Sequence, residues 1–352
     1  MKNRILILTQ TIDKTDRELG FFHAWATEFA KHSDPLTIIC LKRGEYDFPK
    51  HVKVLTLGKE SMSEYKQSKK RIRYIYRFYK YIWQERNNYD SVFVHMNEEY
   101  IILGFLLWKI LGKKITLWRN HLQGTAFTRF AVALSQRVFC TSPKSFTAQF
   151  DKTKIMPAGV DMGLYRKSST LPTPRSVLFF GRLSPVKNVH VFIEAINALD
   201  GNGFDFHADI VGSPANPEDF EYEKTLHKLG DNLVSKNKLT FKKGVAHEET
   251  ATLYGHYSLY VNLTPDGSFD KTMLEGMASG TPVLVSNSVF RGYIPEECQL
   301  MSLEAGSASE KIKHLLSLND IERNQLGDKL AKYADETHSL RHLVDLLVGE
   351  LI

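Results

Sequence analysis

The sequence predicts an α/β protein made of two successive units, each with a parallel β-sheet covered by helices on both faces. Along the chain, short apolar runs typical of buried strands alternate with segments of helical periodicity. The alternation starts again after Pro157, which favours two separate sheets over one continuous sheet. The length of 352 residues also suits two domains of ordinary size.

The first half of the chain contains six predicted strands and three predicted helices, one of which is the basic segment 65–86 described below. Apolar runs predict strands at 5–9, 36–41, 52–57, 91–95, 114–118 and 137–140. Apolar residues at helical spacing predict a helix over 19–31, and the apolar run 101–111 predicts a buried helix.

The second half repeats the alternation. Strands are predicted at 175–180, 206–211, 239–242, 259–263 and 282–286. Helices are predicted at 189–199, 218–229 and 248–256, and a further helix begins near Thr272. The segment 161–174 holds two prolines and several Ser and Thr residues, so it is the predicted linker between domains at 1–160 and 175–335.

The composition excludes several classes of protein. Hydrophobic residues make up 43% and charged residues 24%, which argues against disorder, collagen and coiled coil. The formal net charge of +6 is distributed unevenly. Residues 1–160 hold 27 basic and 14 acidic side chains, whereas residues 161–352 hold 19 and 26. This asymmetry indicates that the first half meets an anionic surface or polymer.

The cysteines and the apolar segments favour a cytoplasmic location. Cys40, Cys140 and Cys298 are far apart in sequence, which is typical of reduced thiols rather than of disulfides or a zinc site. The apolar run 5–8 is too short for a signal peptide, and the run 101–111 is about half the length of a membrane span.

The first candidate binding segment follows the strand at 175–180. It reads Gly-Arg-Leu-Ser-Pro-Val-Lys-Asn over 181–188, so Arg182 and Lys187 follow the strand end closely. Ligands of open α/β sheets bind at the carboxyl ends of strands, where these two cations could hold two phosphates. The alternative is that both are solvated loop cations.

The second candidate segment, 264–282, joins a strand end to a helix start. The free N–H groups of that helix could bind an anion. Glu275 lies one turn inside the helix, where its carboxylate could accept hydrogen bonds from a diol such as ribose. The alternative is an ordinary strand–helix–strand connection with a tight Ser-Gly-Thr-Pro exit turn.

Together these segments resemble the donor-binding half of family-4 glycosyltransferases, which have the GT-B fold. The pair is Gly-Arg-Leu-Ser-Pro-Val-Lys-Asn and, about eighty residues later, Leu-Glu-Gly-Met-Ala-Ser-Gly-Thr-Pro-Val. The resemblance also covers Pro-Ala-Gly-Val-Asp at 157–161, Ile-Val-Gly at 210–212 and Phe-Lys-Lys-Gly-Val at 241–245. It implies two Rossmann-like domains whose parallel sheets face a central cleft, and a last helix at 336–352 that returns to the N-terminal domain.

The resemblance also implies roles for residues of the second half. Arg182 and Lys187 would neutralise the diphosphate of a nucleotide sugar, and Glu275 would bind the ribose. The backbone N–H groups at the helix start would contact phosphate, and the loop 244–247 would lie against the base. The implied donor-binding residues there are Lys271, Thr272, Leu274 and Val245.

The chain departs from the family at one position. The family often has a second Glu, which touches the donor sugar, eight positions before Glu275, and here that position is Gly267. A neighbouring carboxylate such as Asp270 could replace it. Alternatively, backbone N–H groups of 267–269 (Gly267, Ser268 and Phe269) could contact the sugar, or sugar recognition is altered.

The first half resembles the family more weakly. His121 follows a strand at the place where the family has a His that contacts the donor sugar. Gly20, Phe21 and His23 correspond to the loop and first helix on the acceptor side. Asn97 and Glu98 follow the fourth strand, where a carboxylate could orient or deprotonate an acceptor hydroxyl, or simply cap the next helix.

The resemblance implies a glycosyltransferase that moves a sugar from a nucleoside diphosphate sugar to a hydroxyl of a glycan or lipid-linked glycan, with retention of configuration. No Asp-x-Asp or Cys-x-x-Cys motif occurs, so neither a metal nor another cofactor is predicted. A nucleotide-sugar epimerase of the same fold and a non-catalytic peripheral membrane or nucleotide-sugar binding protein remain alternatives.

A basic aromatic segment at 65–86 predicts a further partner. It holds eight Lys or Arg residues, one Glu and seven aromatic residues. Helical spacing places one group of apolar residues on a single face: Ile72, Ile75, Tyr76, Tyr79, Ile82 and Trp83. Such a helix could lie peripherally on the anionic inner face of the cell membrane, or pack on the sheet with a solvated basic back. No nucleic-acid-binding signature accompanies it, so nucleic acid is not a predicted partner.

Overall fold

A computed structural model describes residues 3–16, 19–61, 67–167, 171–245, 247–266 and 270–352. The chain divides into two compact units. One consists of Met1–Gly159 together with Leu340–Ile352, and the other is Val160–Ser339. We refer to them as the N-terminal and the C-terminal unit.

The N-terminal unit contains a seven-stranded parallel sheet. Its strands are β1 (Asn3–Ile12), β2 (Ser33–Arg43), β3 (Val52–Thr56), β4 (Ser91–His95), β5 (Lys114–Trp118), β6 (Arg137–Cys140) and β7 (Thr153–Ile155). They are arranged in the order β3-β2-β1-β4-β5-β6-β7. The first four helices of the chain belong to this unit: α1 (Phe21–His32), α2 (Gln67–Gln84), α3 (Glu99–Ile110) and α4 (Ala126–Leu134).

The C-terminal unit contains a five-stranded parallel sheet. Its strands are β8 (Thr173–Phe180), β9 (His207–Val211), β10 (Leu239–Lys242), β11 (Tyr257–Asn262) and β12 (Val283–Val285), in the order β10-β9-β8-β11-β12. Its helices are α5 (Val189–Gly201), α6 (Pro217–Ser235), α7 (His247–Gly255), α8 (Lys271–Ala278), α9 (Ala305–Leu316) and α10 (Asp320–His338).

The last helix, α11 (Leu340–Leu351), packs in the N-terminal unit. Leu343 and Leu347 join the core that contains Trp25 and Phe29 of α1. At the far end of the helix, Glu350 accepts from Arg137 (3.3 Å) and also pairs with Lys154. These contacts bury the apolar face of α11 against the sheet and α1.

The central strand β1 supplies side chains to both faces of the N-terminal sheet. Ile5 and Ile7 lie in the core shared with α1 and α11. Leu6 and Leu8 lie in the core on the opposite side, which includes residues of α2, α3 and α4. This alternation follows from the two-residue period of a strand, and it explains why a parallel strand buried on both faces is continuously apolar.

The structure confirms the predicted α/β class with two parallel sheets. The bounds of β4, β5, β6 and β10 agree with the predictions. β7, α4, α9 and α10 were not predicted from the sequence. Of these, β7 has only three residues, and α10 has a largely polar surface in which few positions are buried.

Both sheets reverse their strand order at one point. The reversal lies between β1 and β4 in the N-terminal unit and between β8 and β11 in the C-terminal unit. Chain connections leave in opposite directions from the carboxyl ends of these strands, which opens a crevice that commonly binds ligands. The predicted site residues follow these four strands, with the exception of His121 and Val245, which follow β5 and β10.

Candidate functional site

The loop after β8 is tied to the end of β11 in the C-terminal unit. Pro185–Lys187 form one turn of 3-10 helix. The next residue, Asn188, has a left-handed backbone with φ of 53°, and its side-chain amide donates to the Leu263 carbonyl at 2.9 Å. This bond places the Lys187 side chain beside the loop that leads into α8.

Lys187 forms an ion pair with Asp270. The Lys187 Nζ lies 2.5 Å from Oδ2 of Asp270 and donates to the Thr264 hydroxyl at 3.2 Å. The side chains of Lys187 and Asp270 are 17% and 9% exposed, so the pair is largely withdrawn from water. The structure therefore brings together a predicted phosphate-binding cation and Asp270, the carboxylate predicted as a possible catalytic replacement for the family's second Glu.

Both carboxylate oxygens of Asp270 are occupied. Oδ1 accepts from the backbone N–H and the hydroxyl of Thr272, at 3.1 and 2.8 Å, which caps the N-terminus of α8. Oδ2 also accepts from the Asn262 amide at 2.9 Å and from Thr264 at 3.1 Å. Burial would raise the pKa of Asp270, but the Lys187 ammonium and these hydrogen bonds hold the pKa well below its usual range.

Arg182 lies in the same loop but is more accessible than Lys187. Its side chain is 44% exposed, and its Nε lies 3.9 Å from Oδ2 of Asp219 on α6. At this distance the contact is a weak ion pair. The guanidinium is therefore available to an anionic ligand at the carboxyl end of β8.

Glu275 is buried one turn inside α8, with 5% of its surface exposed. Tyr254 donates to its Oε2 at 3.3 Å. Burial raises the pKa of Glu275 to about 7, against the opposing effect of the Lys271 ammonium. Burial likewise lowers the pKa of Lys271 to about 8, although the Glu275 and Asp161 carboxylates oppose this shift. The two groups thus share one desolvated environment.

The other predicted donor-binding residues differ in how accessible they are to a ligand. The Thr272 hydroxyl is engaged with Asp270 and with Tyr260 (2.8 Å). The Leu274 side chain is fully buried, so only its backbone could meet a ligand. Val245, in the loop after β10, is half-buried. The three predicted residues Gly267, Ser268 and Phe269 lie outside the described residues.

The loop after β4 forms a distinctive feature in the N-terminal unit. Met96 has a left-handed backbone with φ of 68°, which is uncommon for a residue other than glycine and costs conformational energy. Next to it, Oδ1 of Asn97 is buried and has no hydrogen-bond partner among the described residues. An unpaired buried amide oxygen of this kind can accept a hydrogen bond from a ligand hydroxyl.

Glu98 lies in the same loop, and both of its oxygens are occupied. Oε2 accepts from Nε of Arg119, which follows β5, and Oε1 accepts from the Thr128 hydroxyl of α4 at 2.8 Å. The side chain makes no hydrogen bond that caps α3. Glu98 therefore joins the loops after β4 and β5 to α4.

His121 is exposed in the loop after β5. Its Nδ1 lies 3.0 Å from both the backbone N and the backbone O of Gln123, which orients the ring. The loop itself is anchored because the Phe146 N–H donates to the His121 carbonyl at 2.8 Å. A ring held in this way at a sheet edge is accessible to a ligand.

The three predicted residues at the start of α1 differ in accessibility. A Cβ at Gly20 would lie 2.5 Å from the Asp16 carbonyl, so only glycine permits this close turn of the loop. The Phe21 ring meets the buried His95 ring edge-on, with centroids 6.2 Å apart. His23 pairs with Asp47 (3.0 Å), which directs it toward the loop after β2.

Several residues of the polar network were missed by the sequence analysis. Asn262 and Thr264 hold Asp270, and their position directly after a strand was an available signal. Tyr165 and Tyr254 surround Glu275, but nothing near them in the sequence indicates this. Within the described ranges, no group of three or more His, Cys, Asp or Glu side chains could hold a metal ion.

The fold and the site together define a class of protein with two Rossmann-like units. In the C-terminal unit, the loops after the strands carry cations and lead into a helix whose N-terminus is capped. Comparisons with known proteins agree with this class. Residues 162–333 match the profile of the family described as glycosyl transferases group 1. A solved glycosyltransferase from Rickettsia africae superposes with a TM-score of 0.76 and 14% identity, covering 100% of this chain and 98% of that one. The predicted GT-B fold is thus confirmed.

Curated relatives are similar over part of their length. Spore coat protein SA of Bacillus subtilis is 26% identical over 244 residues, which are 62% of this chain and 63% of the relative. The D-inositol 3-phosphate glycosyltransferase of Paenarthrobacter aurescens is 28% identical over 153 residues, which are 40% of this chain and 36% of that enzyme. The chain thus spans less than two thirds of either relative, and these similarities support the predicted glycosyltransferase class.

Proposed function

We propose that the protein is a retaining glycosyltransferase of family 4 that moves a sugar from a nucleoside diphosphate sugar to a hydroxyl of a glycan or lipid-linked glycan. The observation that carries the proposal is the network at the reversal point of the C-terminal sheet. There, Lys187, Asp270 and the N-terminus of α8 form one cluster, with Glu275 one turn inside the helix.

This network suits a nucleoside diphosphate. Arg182 and Lys187 supply positive charge, and the first turn of α8 adds the N–H groups and dipole of a helix N-terminus. Glu275, when ionised, accepts hydrogen bonds from the two ribose hydroxyls. Val245 contacts the base from the loop after β10. No residue of this set needs a bound metal, so we propose that the donor is held without a cofactor.

The same groups stabilise the departing diphosphate. As the bond between the sugar and the phosphate breaks, negative charge grows on the leaving oxygen. Fixed cations in a partly desolvated site lower the energy of that charge more than water would. In the front-face mechanism that we propose, the leaving phosphate takes the proton of the incoming hydroxyl. Positioning then accounts for much of the rate enhancement.

Residues of the N-terminal unit position the acceptor. The unpaired Asn97 oxygen accepts a hydrogen bond from an acceptor hydroxyl, and His121 contacts the donor sugar. Gly20 and Phe21 shape the loop between β1 and α1 on the acceptor side. Glu98 is a positioning residue rather than a base, because Arg119 and Thr128 already occupy both of its oxygens.

Asp270 also has a different role from the one that the sequence suggested. Its oxygens cap α8 and hold Lys187, so the carboxylate is not free to replace the Glu that the family has at the position of Gly267. We propose that Asp270 orients Lys187 toward the phosphates.

A thermal-shift screen tests the donor proposal. One of the three classes of UDP-, GDP- and ADP-sugars should raise the Tm, since a ligand at 100 times its Kd adds about 2.7 kcal/mol to the free energy of unfolding. Arg182→Ala should reduce this shift with little effect on the fold, because Arg182 makes only a weak ion pair. The exposed Arg291 serves as the control through Arg291→Ala. Absence of a shift with all three classes would refute the proposed donor.

We further propose that the enzyme works in the cytoplasm, at the anionic inner face of the cell membrane. No described helix is long and apolar enough to cross a bilayer. The described part of α2 packs on the sheet through Phe78 and Ile82, so Ile82 is buried, unlike the other residues of the predicted apolar face. The rest of that predicted face is 40–72% exposed: Ile72, Ile75, Tyr76, Tyr79 and Trp83.

Neighbouring side chains extend this outer face of α2. Exposed cations flank it at Arg71, Arg73 and Lys80. The adjacent helix α3, whose Leu103 carbonyl accepts from Tyr79, exposes Leu106 and Ile110 by 68% and 73%. Aromatic and aliphatic side chains beside cations are typical of surfaces that lie on anionic lipid headgroups.

Vesicle co-sedimentation tests the membrane proposal. The protein should bind phosphatidylcholine vesicles that contain 30% phosphatidylglycerol and leave pure phosphatidylcholine vesicles unbound. Arg73→Glu with Lys80→Glu should weaken binding by about tenfold or more, at roughly 1 kcal/mol per cation. The matched control reverses two exposed lysines of the C-terminal unit, Lys313 and Lys329. Equal loss in both double variants would contradict a specific surface.

A further inference from the structure

Three aromatic rings form a stack at the carboxyl edge of the N-terminal sheet. The His23 ring of α1 lies on Phe48, with centroids 4.5 Å apart and planes at 16°. Tyr46 lies on Phe48 at 5.5 Å and 27°. His23 and Phe48 are half-buried, whereas Tyr46 is 39% exposed. The stack thus ends in an accessible phenol ring.

The stack is held rigidly by the loops after β1 and β2. The Lys14 N–H donates to the Glu45 carbonyl at 2.9 Å, and the Gly44 N–H donates to the Ile12 carbonyl at 2.8 Å. A Cβ at Gly44 would lie 2.0 Å from the Asp13 carboxylate, so a larger residue at this position would have to displace the Asp13 side chain. A preformed platform of this kind loses little conformational entropy when a ligand binds.

Asp47, between Tyr46 and Phe48 in the sequence, adds a carboxylate to the same loop. The Asp47 side chain is 74% exposed, although His23 holds one of its oxygens at 3.0 Å and Lys14 approaches the other at 3.9 Å. An oriented carboxylate beside an aromatic face suits a ligand with an apolar face and hydroxyl groups at its rim. A pyranose ring has this character, because its axial C–H groups lie on one face and its hydroxyls point outward.

We propose that Tyr46, Phe48 and Asp47 form a saccharide subsite, in which a pyranose ring of the acceptor stacks on Tyr46 and donates a hydroxyl hydrogen bond to Asp47. Phe48 supports the Tyr46 ring from below, and His23 orients Asp47. The assignment of the ring to the acceptor rests on the proposed glycosyltransferase function. The proposal that this subsite binds a saccharide does not depend on that function.

Two features favour a saccharide over simple core packing. An aromatic ring that served only in core packing would be buried on both faces, as the rings of Phe22 and Phe29 are. Tyr46 instead keeps 39% of its surface in the solvent, in the same loop as the Asp47 carboxylate. The loop also follows β2, the strand next to β1 on the side away from the reversal point, so it could bind a sugar at some distance from the reacting hydroxyl.

Saturation-transfer difference NMR on the full chain tests the subsite without any nucleotide sugar. The probes are the methyl β-glycosides of glucose, galactose and N-acetylglucosamine at millimolar concentration. At least one should receive saturation, and Tyr46→Ala should weaken its binding by roughly three- to tenfold, the range expected for loss of one aromatic contact. Tyr46→Phe should retain binding, because it keeps the ring.

The matched control is Tyr76→Ala, which removes a tyrosine of the same unit that is 67% exposed on α2. The subsite is refuted if none of the three glycosides receives saturation, or if Tyr46→Ala and Tyr76→Ala bind the probe equally. Because no donor is present, failure here leaves the thermal-shift test of the donor site unaffected. A negative donor screen likewise does not change the saccharide result.

Discussion

Replacing Lys187 by Met should both destabilise the protein and abolish sugar transfer. The substitution leaves the Asp270 carboxylate, 9% exposed, without its cation. Breaking a buried ion pair in this way costs about 3–5 kcal/mol. Loss of a cation aimed at the departing diphosphate should lower kcat by about 100-fold or more, as for other preorganised charge-stabilising groups.

A double variant separates the two effects. Asp270→Asn added to Lys187→Met removes the unpaired charge while its amide keeps the shape of the cap on α8. The double variant should therefore recover most of the lost free energy of unfolding, measured by urea denaturation. It should not recover transfer, because the phosphates still lack their cation.

The control for Lys187 is an ion pair of similar geometry outside the site. Lys242 Nζ lies 2.6 Å from Oδ2 of Asp209, whose side chain is 4% exposed. Lys242→Met should destabilise the C-terminal unit and leave kcat of the folded protein near the wild-type value. If Lys187→Met and Lys242→Met had the same effect on transfer, Lys187 would have only a structural role.

Glu275→Gln should change how stability depends on pH. Burial raises the pKa of Glu275 from its usual value of 4.5 to about 7 in the folded protein. Between these values the folded state binds the proton more tightly than the unfolded state does. The free energy of unfolding of the wild type should therefore fall as the pH rises through this window, by up to about 3 kcal/mol.

The variant should lack this fall, because glutamine does not titrate. Urea denaturation of both proteins at intervals from pH 4.5 to pH 8 measures the difference between their free energies of unfolding. The contributions of the other titratable groups largely cancel in this difference. Glu221→Gln, which alters an exposed carboxylate on α6, should follow the wild type. A wild type and Glu275→Gln with parallel pH profiles would show that the folded protein does not raise the pKa of Glu275.

The same substitution should weaken donor binding. A carboxylate accepts hydrogen bonds from both ribose hydroxyls, whereas the amide of glutamine offers one acceptor atom. Hydrogen bonds to a charged group contribute about 1.5–3 kcal/mol, so the Kd for the nucleotide sugar should rise by roughly tenfold or more. Wild-type affinity should also improve as the pH rises through about 7, since Glu275 becomes ionised. Isothermal titration calorimetry at pH 6 and pH 8 checks both expectations.

The sequence predicted most of the strands because their signal is local. β4, β5 and β6 are short runs whose side chains are buried on both faces of a sheet, and such runs stand out from their neighbours. α2 shows the limit of this reasoning. The helical spacing of its apolar residues predicted the helix but not which of them are buried. Ile82 faces the core with Phe78, whereas Ile72 and Tyr76 face solvent.

Local sequence patterns likewise identified only some residues of the candidate site. Arg182, Lys187 and Glu275 follow recognisable local patterns, so the sequence identified them and their segments. The partners that decide what Asp270 and Glu98 do are distant in sequence. Lys187 precedes Asp270 by 83 positions, and Arg119 follows Glu98 by 21. Nothing in the local spacing indicates either pairing.

By itself, the sequence determined the α/β class, the restart of the pattern after Pro157 and the two segments that carry the proposed donor-binding residues. Each depends on periodicity or on residues close together in the chain. Only the tertiary structure decided that Asp270 holds Lys187, that Glu98 is fully paired, and that Tyr46, Phe48 and His23 stack. Hydrogen bonds and ring contacts act over a few ångströms in space, so they are set by how the strands assemble rather than by the order of residues.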